Sequence, residues 1–196
     1  MTATAQKATF TIRRARTSDV LRIRDLVAPL AEERVLVAKE TVAYYEGLQE
    51  FRIAEDAEGA VIGCGALHVM WEDLAEVRTL AAHPDWKGRG VGHALLDQLL
   101  ADAVEIGVSR VFCLTFEVDF FKRHGFTVME SQSAVDPEVY SELLRSHDEG
   151  VAEFLDLARV KPNTLGNTRM IRDVRAQVNF AAPLENGRRK RYSKGT

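Results

Sequence analysis

Apolar side chains recur along this chain at two spacings, and each spacing predicts an element. Phe10–Arg14 alternates enough for a short strand. Thr17, Ser18 and Asp19 then offer N-cap candidates for a helix that places Val20, Ile23, Leu26 and Val27 on one face and ends near Pro29. Residues 40–48 predict a second, weaker helix. Strands are expected at Phe51–Glu55 and Ala60–Val69, joined by the turn-like Asp56-Ala57-Glu58-Gly59. A further strand, Ala75–Ala82, runs into His83-Pro84-Asp85 and a glycine-rich loop.

That loop opens the strongest helix. Val91, Leu95, Leu99, Ala103 and Ile106 recur every three or four residues, and Gly107 stands where a C-cap belongs. Arg110–Phe116 holds an unbroken apolar run of the kind that fills a buried central strand. A short helix with Phe120 and Phe121 stops at Gly125, and Phe126–Met129 predicts a strand. Residues 137–158 are helical in pattern, broken around Ser146–Gly150, and Thr168–Arg172 is a final strand candidate. This order predicts an α/β fold, a mixed sheet with helices on both faces.

Composition narrows the function classes. The chain has 196 residues, 26 of them Lys or Arg and 29 Asp or Glu, and 46% are hydrophobic, so one globular domain is the expectation. Charge is uneven: residues 174–196 carry a net of +5 and leave −8 on residues 1–173. An acidic body argues against nucleic-acid binding, which needs a basic face. The tail GRRKRYSKGT reads as a disordered, solubilising appendage, with contact to nucleic acid or an acidic partner as the alternative. No apolar run approaches the roughly 18 residues of a membrane span. The N-terminus lacks the basic-then-apolar order of a secretion signal, and Cys64 and Cys113 sit apart in apolar runs. A cytoplasmic location with reduced thiols is expected. Five histidines without ligand spacing predict no metal site.

Trp86-Lys87-Gly88-Arg89-Gly90-Val91-Gly92-His93 lies between a strand and a helix. There the first helical N–H groups and the helix dipole make an anion site, to which Lys87 and Arg89 add charge. The competing reading is an ordinary tight turn. No Lys-Ser or Lys-Thr follows the glycines, which removes a Walker loop. The third glycine falls one residue early for a dinucleotide fingerprint.

The loop does resemble the pyrophosphate signature (Gln/Arg)-x-x-Gly-x-(Gly/Ala) of the GNAT acetyltransferase superfamily, with Lys87 in the first position and Gly90 and Gly92 in the others. Phe120-Phe121-Lys122-Arg123-His124-Gly125-Phe126 is similar to a second family segment. The resemblance implies a GNAT-like, mostly antiparallel sheet over residues 1–173, with 174–196 as a tail. It implies acetyl-CoA as co-substrate, held by Leu80, Ala81, Ala82, Lys87, Gly88, Arg89, Gly90, Val91, Gly92, His93, Phe120 and Arg123.

Further segments, among them Cys64-Gly65-Ala66-Leu67 and Ala75–Pro84, resemble the amino-acid N-acetyltransferases that make N-acetylglutamate, the first step of arginine biosynthesis. The chain is similar to their short, stand-alone type, and a homodimer is compatible with that likeness. The resemblance places a general base at Glu76, which would deprotonate the α-amine of L-glutamate for direct transfer in a ternary complex. A strand N–H near Leu80–Ala82 would stabilise charge on the thioester oxygen. Phe121 stands where the family has a Tyr that protonates the departing thiolate, and a phenyl ring has no proton to give. Lys39, Arg78 and Arg169 are the cations implied for the two carboxylates of glutamate. Each has the alternative of a surface charge, as Glu76 has that of a strand-edge carboxylate. A second reading keeps the chemistry and changes the acceptor to a protein or polyamine amine; a third is a non-catalytic acyl-CoA-binding module.

Overall fold

The predicted run of elements forms a single seven-stranded sheet, seen here in a computed structural model that describes residues 9–37, 39–129, 135–157 and 166–175. The order along the chain is β1 (Phe10–Arg14), α1 (Val20–Glu32), α2 (Thr41–Glu46), β2 (Phe51–Asp56), β3 (Val61–Trp71), β4 (Leu74–Ala82) and α3 (Val91–Glu105). There follow β5 (Arg110–Thr115), α4 (Val118–Arg123), β6 (Thr127–Val128), α5 (Pro137–Leu143), α6 (Glu149–Phe154) and β7 (Thr168–Asp173). Spatially the strands lie β1-β2-β3-β4-β5-β7-β6, antiparallel throughout except for β4 against β5.

Alternation along the strands sorts the core into two layers. Val77 on β4 and Val111 and Cys113 on β5 face α3, whose Leu96, Leu99 and Ala103 pack on them with Phe121 and Phe126. On the opposite face, α1 sets Val20, Ile23 and Val27 over Ile53, Cys64 and Ala66. The same face carries Phe112 beneath Leu143 of α5 and Phe154 of α6. Val174, just past β7, is buried and donates its N–H to Ser109 O at 2.8 Å, so packing reaches beyond the expected boundary at residue 173. The basic stretch 176–196 lies outside the described residues.

Two irregularities shape the centre. The β4–β5 ladder pairs Leu74, Ala75 and Glu76 with Arg110, Val111 and Phe112 and ends there, although both strands continue. Between Cys64/Ala81 and Ala66/Arg78, β4 holds one residue more than β3, and Thr79 takes a left-handed φ of 55°. The Cys64 thiol donates to the Thr79 carbonyl at 3.5 Å across this bulge. Both cysteines are buried free thiols.

Local expectations fail in instructive places. Helix α1 runs through Pro29 to Glu32, because Pro29 lies on the exposed side, where water can serve the carbonyl left unbonded one turn earlier. Asp19 does not cap α1 with its side chain; it accepts from Arg16 N at 2.7 Å and from Arg13 Nη1 at 2.8 Å. Ile106 is the C-cap of α3 and is 56% exposed, off the buried stripe. Phe126 leaves β6 to enter the core, and Phe116 lies past the end of β5.

Candidate functional site

At the C-terminal end of β4 the chain makes one tight turn, Pro84–Trp86, and enters the glycine loop. Gly88 and Gly90 have φ of +76° and +87°, and Gly90 is the N-cap of α3. A Cβ at either would meet nothing within 4 Å, so glycine serves the left-handed backbone and the space beside the loop is open. The first N–H groups of a 15-residue helix point into that space. Lys87 and Arg89 are exposed beside it, and the Arg89 guanidinium lies 5.3 Å from the Trp86 ring centre.

Phe120 closes the side of the loop, its ring 3.6 Å from where a Gly92 Cβ would lie and 5.0 Å from the His93 ring. His124 joins them, with Nε2 3.1 Å from His93 Nδ1 and Nδ1 donating to Phe120 O at 2.9 Å. Arg123 is exposed in the last turn of α4. Phe121 turns away into the core against Phe126. Leu80, Ala81 and Ala82 continue β4 toward the loop past the end of the β5 ladder; Ala81 and Ala82 pair with Cys64 and Gly63 of β3, and Leu80 lies in the bulge.

Farther back on β4, the helical face opposite α3 holds a cleft of about 600 Å³. Glu76 and Arg78 form its floor; Lys39 and Glu50 enter from the α1–β2 segment, Asp148, Gly150 and Glu153 from α6 and the turn before it, and Asn167 from the approach to β7. Arg78 is shared among acids: Nη2 donates to Glu50 at 2.9 Å, Nη1 to Asp148 at 2.8 Å, and Glu76 Oε2 lies 3.8 Å away. His68 braces the same pair, with Nδ1 2.7 Å from Glu50 and Nε2 3.5 Å from Asp148. Burial works against charge on Glu50 and Asp148, yet His68 and Arg78 outweigh it and hold both below the ordinary carboxylate range.

Glu76 differs from them. Burial pushes its carboxyl up to about 7, Arg78 pulls it down only in part, and Glu153 adds to the rise. Its Oε2 is buried without a hydrogen-bond partner among the described residues. Glu153 is likewise pushed up to about 7, by burial first and then by Glu149 and Asp148. Burial and the neighbouring Arg78 lower the Lys39 ammonium, against the pull of Glu76, Asp148 and Glu50.

The structure thus brings Glu76, Arg78 and Lys39 together and leaves Arg169 out. Arg169 donates to Phe154 O at 3.3 Å and lies 3.7 Å from Asp156, pinning the C-terminal end of α6 instead of lining the cleft. Glu50, His68, Asp148, Gly150 and Glu153 escaped the sequence reading. Asp148 and Gly150 left a signal there only as members of the break between two helical stretches, and the structure makes Asp148 the cap of α6. Among the described residues, no cluster of three or more His, Cys, Asp or Glu could hold a metal ion, and no helix is long and apolar enough to cross a membrane.

Comparison with known proteins bears on the family and the fold. The model of the acetyltransferase (GNAT) family matches residues 21–126. A Mycobacterium tuberculosis protein named amino-acid acetyltransferase is 54% identical over 162 residues, 82% of this chain and 92% of its own length. A longer Shewanella oneidensis protein of the same name is 36% identical over 119 residues, 60% of this chain and 26% of that one. Among solved structures, a Mycobacterium tuberculosis protein in complex with CoA and NLQ superposes with a TM-score of 0.79 at 53% identity, over 83% of this chain and 98% of that one. The N-acetylglutamate synthase of Neisseria gonorrhoeae, complexed with coenzyme A and N-acetyl-glutamate, shares the fold at a TM-score of 0.68 and 24% identity, over 87% of this chain and 36% of its own.

Proposed function

The chain belongs to the acetyltransferase (GNAT) family, and from that premise we propose that it moves an acetyl group from acetyl-CoA to the α-amine of a free amino acid, L-glutamate in particular. One observation carries the reading. The buried Glu76 carboxyl lines the cleft at the last rung before β4 and β5 part, on the strand that leads to the glycine loop.

The residues present fit acetyl-CoA. The open space at Gly88 and Gly90, the amides at the start of α3 and the nearby cations suit a pyrophosphate, and Phe120 walls the loop. Lys87, Arg89, Gly92, His93 and Arg123 belong to the same surface, Val91 reaches it only through its backbone because its side chain is in the core, and Leu80–Ala82 lie past the end of the β5 ladder with that strand edge unpaired. When bound, the thioester supplies an activated acetyl group. The chain's part is to orient an amine against it and remove a proton. With its carboxyl pushed up to about 7, Glu76 takes the proton that an ammonium must lose before its lone pair can attack the thioester; as the N–C bond forms and the C–S bond breaks, the nitrogen sheds its second proton to water. The departing thiolate takes its proton from water or leaves unassisted, because the phenyl ring of Phe121, which packs in the core, has no proton to give.

Lys39 is the cation best placed for an acceptor carboxylate, since Arg78 is already bracketed by Glu50 and Asp148. A second reading draws on the same charges. Carboxylates from Glu40, Glu46, Glu50, Glu76, Asp148, Glu149 and Glu153 line the cleft against Lys39 and Arg78, a balance that suits a cationic acceptor such as a polyamine or basic peptide. Thiol release from acetyl-CoA, measured with L-glutamate, L-glutamine, spermidine and a basic peptide and checked by product mass, separates them. Fastest turnover on an amino acid with acetylation at the α-amine supports the first reading; faster turnover on spermidine or peptide overturns it. Donor binding without turnover on any acceptor would make the chain a binding module.

A further inference from the structure

Glycine inside a helix needs a reason, because it surrenders more chain freedom on ordering than any residue with a side chain. Gly150 is the second residue of α6, and no left-handed φ demands it. Its surroundings supply the reason. A Cβ at this position would lie 2.0 Å from Glu76 Oε2 and 2.7 Å from Glu76 Cδ, with Asp148 Oδ1 at 3.1 Å. The carboxyl of Glu76 thus occupies the volume that an alanine methyl would fill.

The segment carrying Gly150 is tied to β4. Asp148 accepts from Val151 N at 3.2 Å through one oxygen, capping α6, and from Arg78 Nη1 at 2.8 Å through the other. Arg78 stands two residues from Glu76 on the same face of β4, so one clasp fixes both partners of the contact. Arg169 holds the far end of α6 through Phe154 O.

We propose that Gly150 is a positioning residue for acetyl transfer: its bare Cα, held by the Asp148–Arg78 clasp, is the seat that keeps the Glu76 carboxyl buried against the cleft wall. The proposal rests on Glu76 acting as the base. The charged and titratable groups facing that carboxyl are Arg78 on β4, Asp148 and Glu153 from the α6 side and Lys39 from the segment before α2; the Cys113 thiol, on the other face of the sheet, feels its charge. A methyl at position 150 meets the free end of a side chain and not backbone, so the fold can absorb it while the carboxyl cannot stay where it is. Displaced toward water, Glu76 loses part of the burial that favours its protonated form.

Gly150→Ala should therefore fold with a melting temperature at or above that of the parent and an unchanged acetyl-CoA affinity. Its kcat should fall by about tenfold or more, and the acid limb of its pH profile should move down from near 7. Carboxyl-carbon NMR titration of Glu76 in the free enzyme should show the same downward move. Added to Glu76→Gln, Gly150→Ala should change kcat by less than about twofold, because the group it displaces is gone. A Gly150→Ala enzyme with parental kcat and an unshifted Glu76 titration overturns the proposal, as does a tenfold loss that recurs in the Glu76→Gln background. If Glu76→Gln alone keeps full turnover, the base assignment fails instead, and the Glu76 titration in Gly150→Ala still decides the seating.

Discussion

The glycine loop and the cleft lie on the same strand and solve opposite electrostatic problems. The loop offers backbone: its charges are exposed, a Cβ at Gly88 or Gly90 would touch nothing, and its donors are amides that any sequence with the right turn would present. The cleft offers side chains: of the seven carboxylates that line it, Glu50, Glu76, Asp148 and Glu153 come from separate segments to share it with Lys39 and Arg78, and their charges shift one another. A backbone site tolerates change in every side chain but depends on a few φ angles. A side-chain site tolerates backbone variation but fails when one partner is lost.

The sharpest way to divide the two is Glu76→Gln. It should lower kcat by about 10²–10⁴ while calorimetry finds acetyl-CoA binding intact. Next comes Lys39→Ala, expected to raise the KM for L-glutamate by an amount equivalent to ~2–4 kcal/mol and to leave that for acetyl-CoA alone. Arg78→Ala should raise that KM less than Lys39→Ala does and should lower the melting temperature and kcat, because Glu50 and Asp148 lose their shared cation and the clasp at Asp148 opens. Arg169→Ala should leave the acceptor KM near that of the parent, since its guanidinium serves α6.

The pH dependence of stability tests the cleft without substrate. The folded state holds the Glu76 proton up to about 7, above the ordinary carboxylate range, so folding binds protons between those values. Stability from this group is complete at low pH and declines as pH rises toward 7. Glu76→Gln removes that decline. It should stabilise the protein at pH 8 by on the order of 2–3 kcal/mol relative to its effect at pH 4, read from paired melting curves.

On the loop side, Gly90→Asp should weaken acetyl-CoA binding by about tenfold or more without loss of fold, as a carboxylate would face the phosphates across open space. Unchanged affinity would remove the loop from the donor site. The smallest effect is expected from truncation after Arg175, which keeps the buried Val174 and removes the basic tail. Melting temperature and kcat/KM should stay within about twofold-equivalent limits; a large loss would show that the tail packs on the body.

The same contrast explains what could be read from the sequence. Residues 87–93 are contiguous, and their glycines mark a turn and a helix start, so the loop was legible from spacing alone. Strand and helix order was legible for the same reason. The cleft gathers residues from 35 to 167, and no local rule joins Glu50 to Asp148. Glu153 carries the sign of a solvent-facing helix residue and ends up buried, because its neighbours Val151 and Phe154 bring α6 down onto Phe112. Gly150 looked like a helix breaker and is a helical residue. Arg169 looked like an acceptor cation; its place on β7, opposite Leu114, turns it to the end of α6.

The lone parallel pair in this sheet has a topological consequence. Antiparallel neighbours can be joined by a tight turn, but a parallel neighbour is reached only by carrying the chain back over the sheet. Between β4 and β5 that return path is the glycine loop followed by α3. A chain that leaves a strand to cross a sheet begins its helix beside the carboxyl end of that strand, and a crevice opens where neighbouring connections diverge. The detour imposed by strand direction is thus what sets a helix start beside the same strand that carries Glu76. With β5 as an antiparallel neighbour, a tight turn could join the two strands, and neither the glycine loop nor a helix start beside β4 would be required.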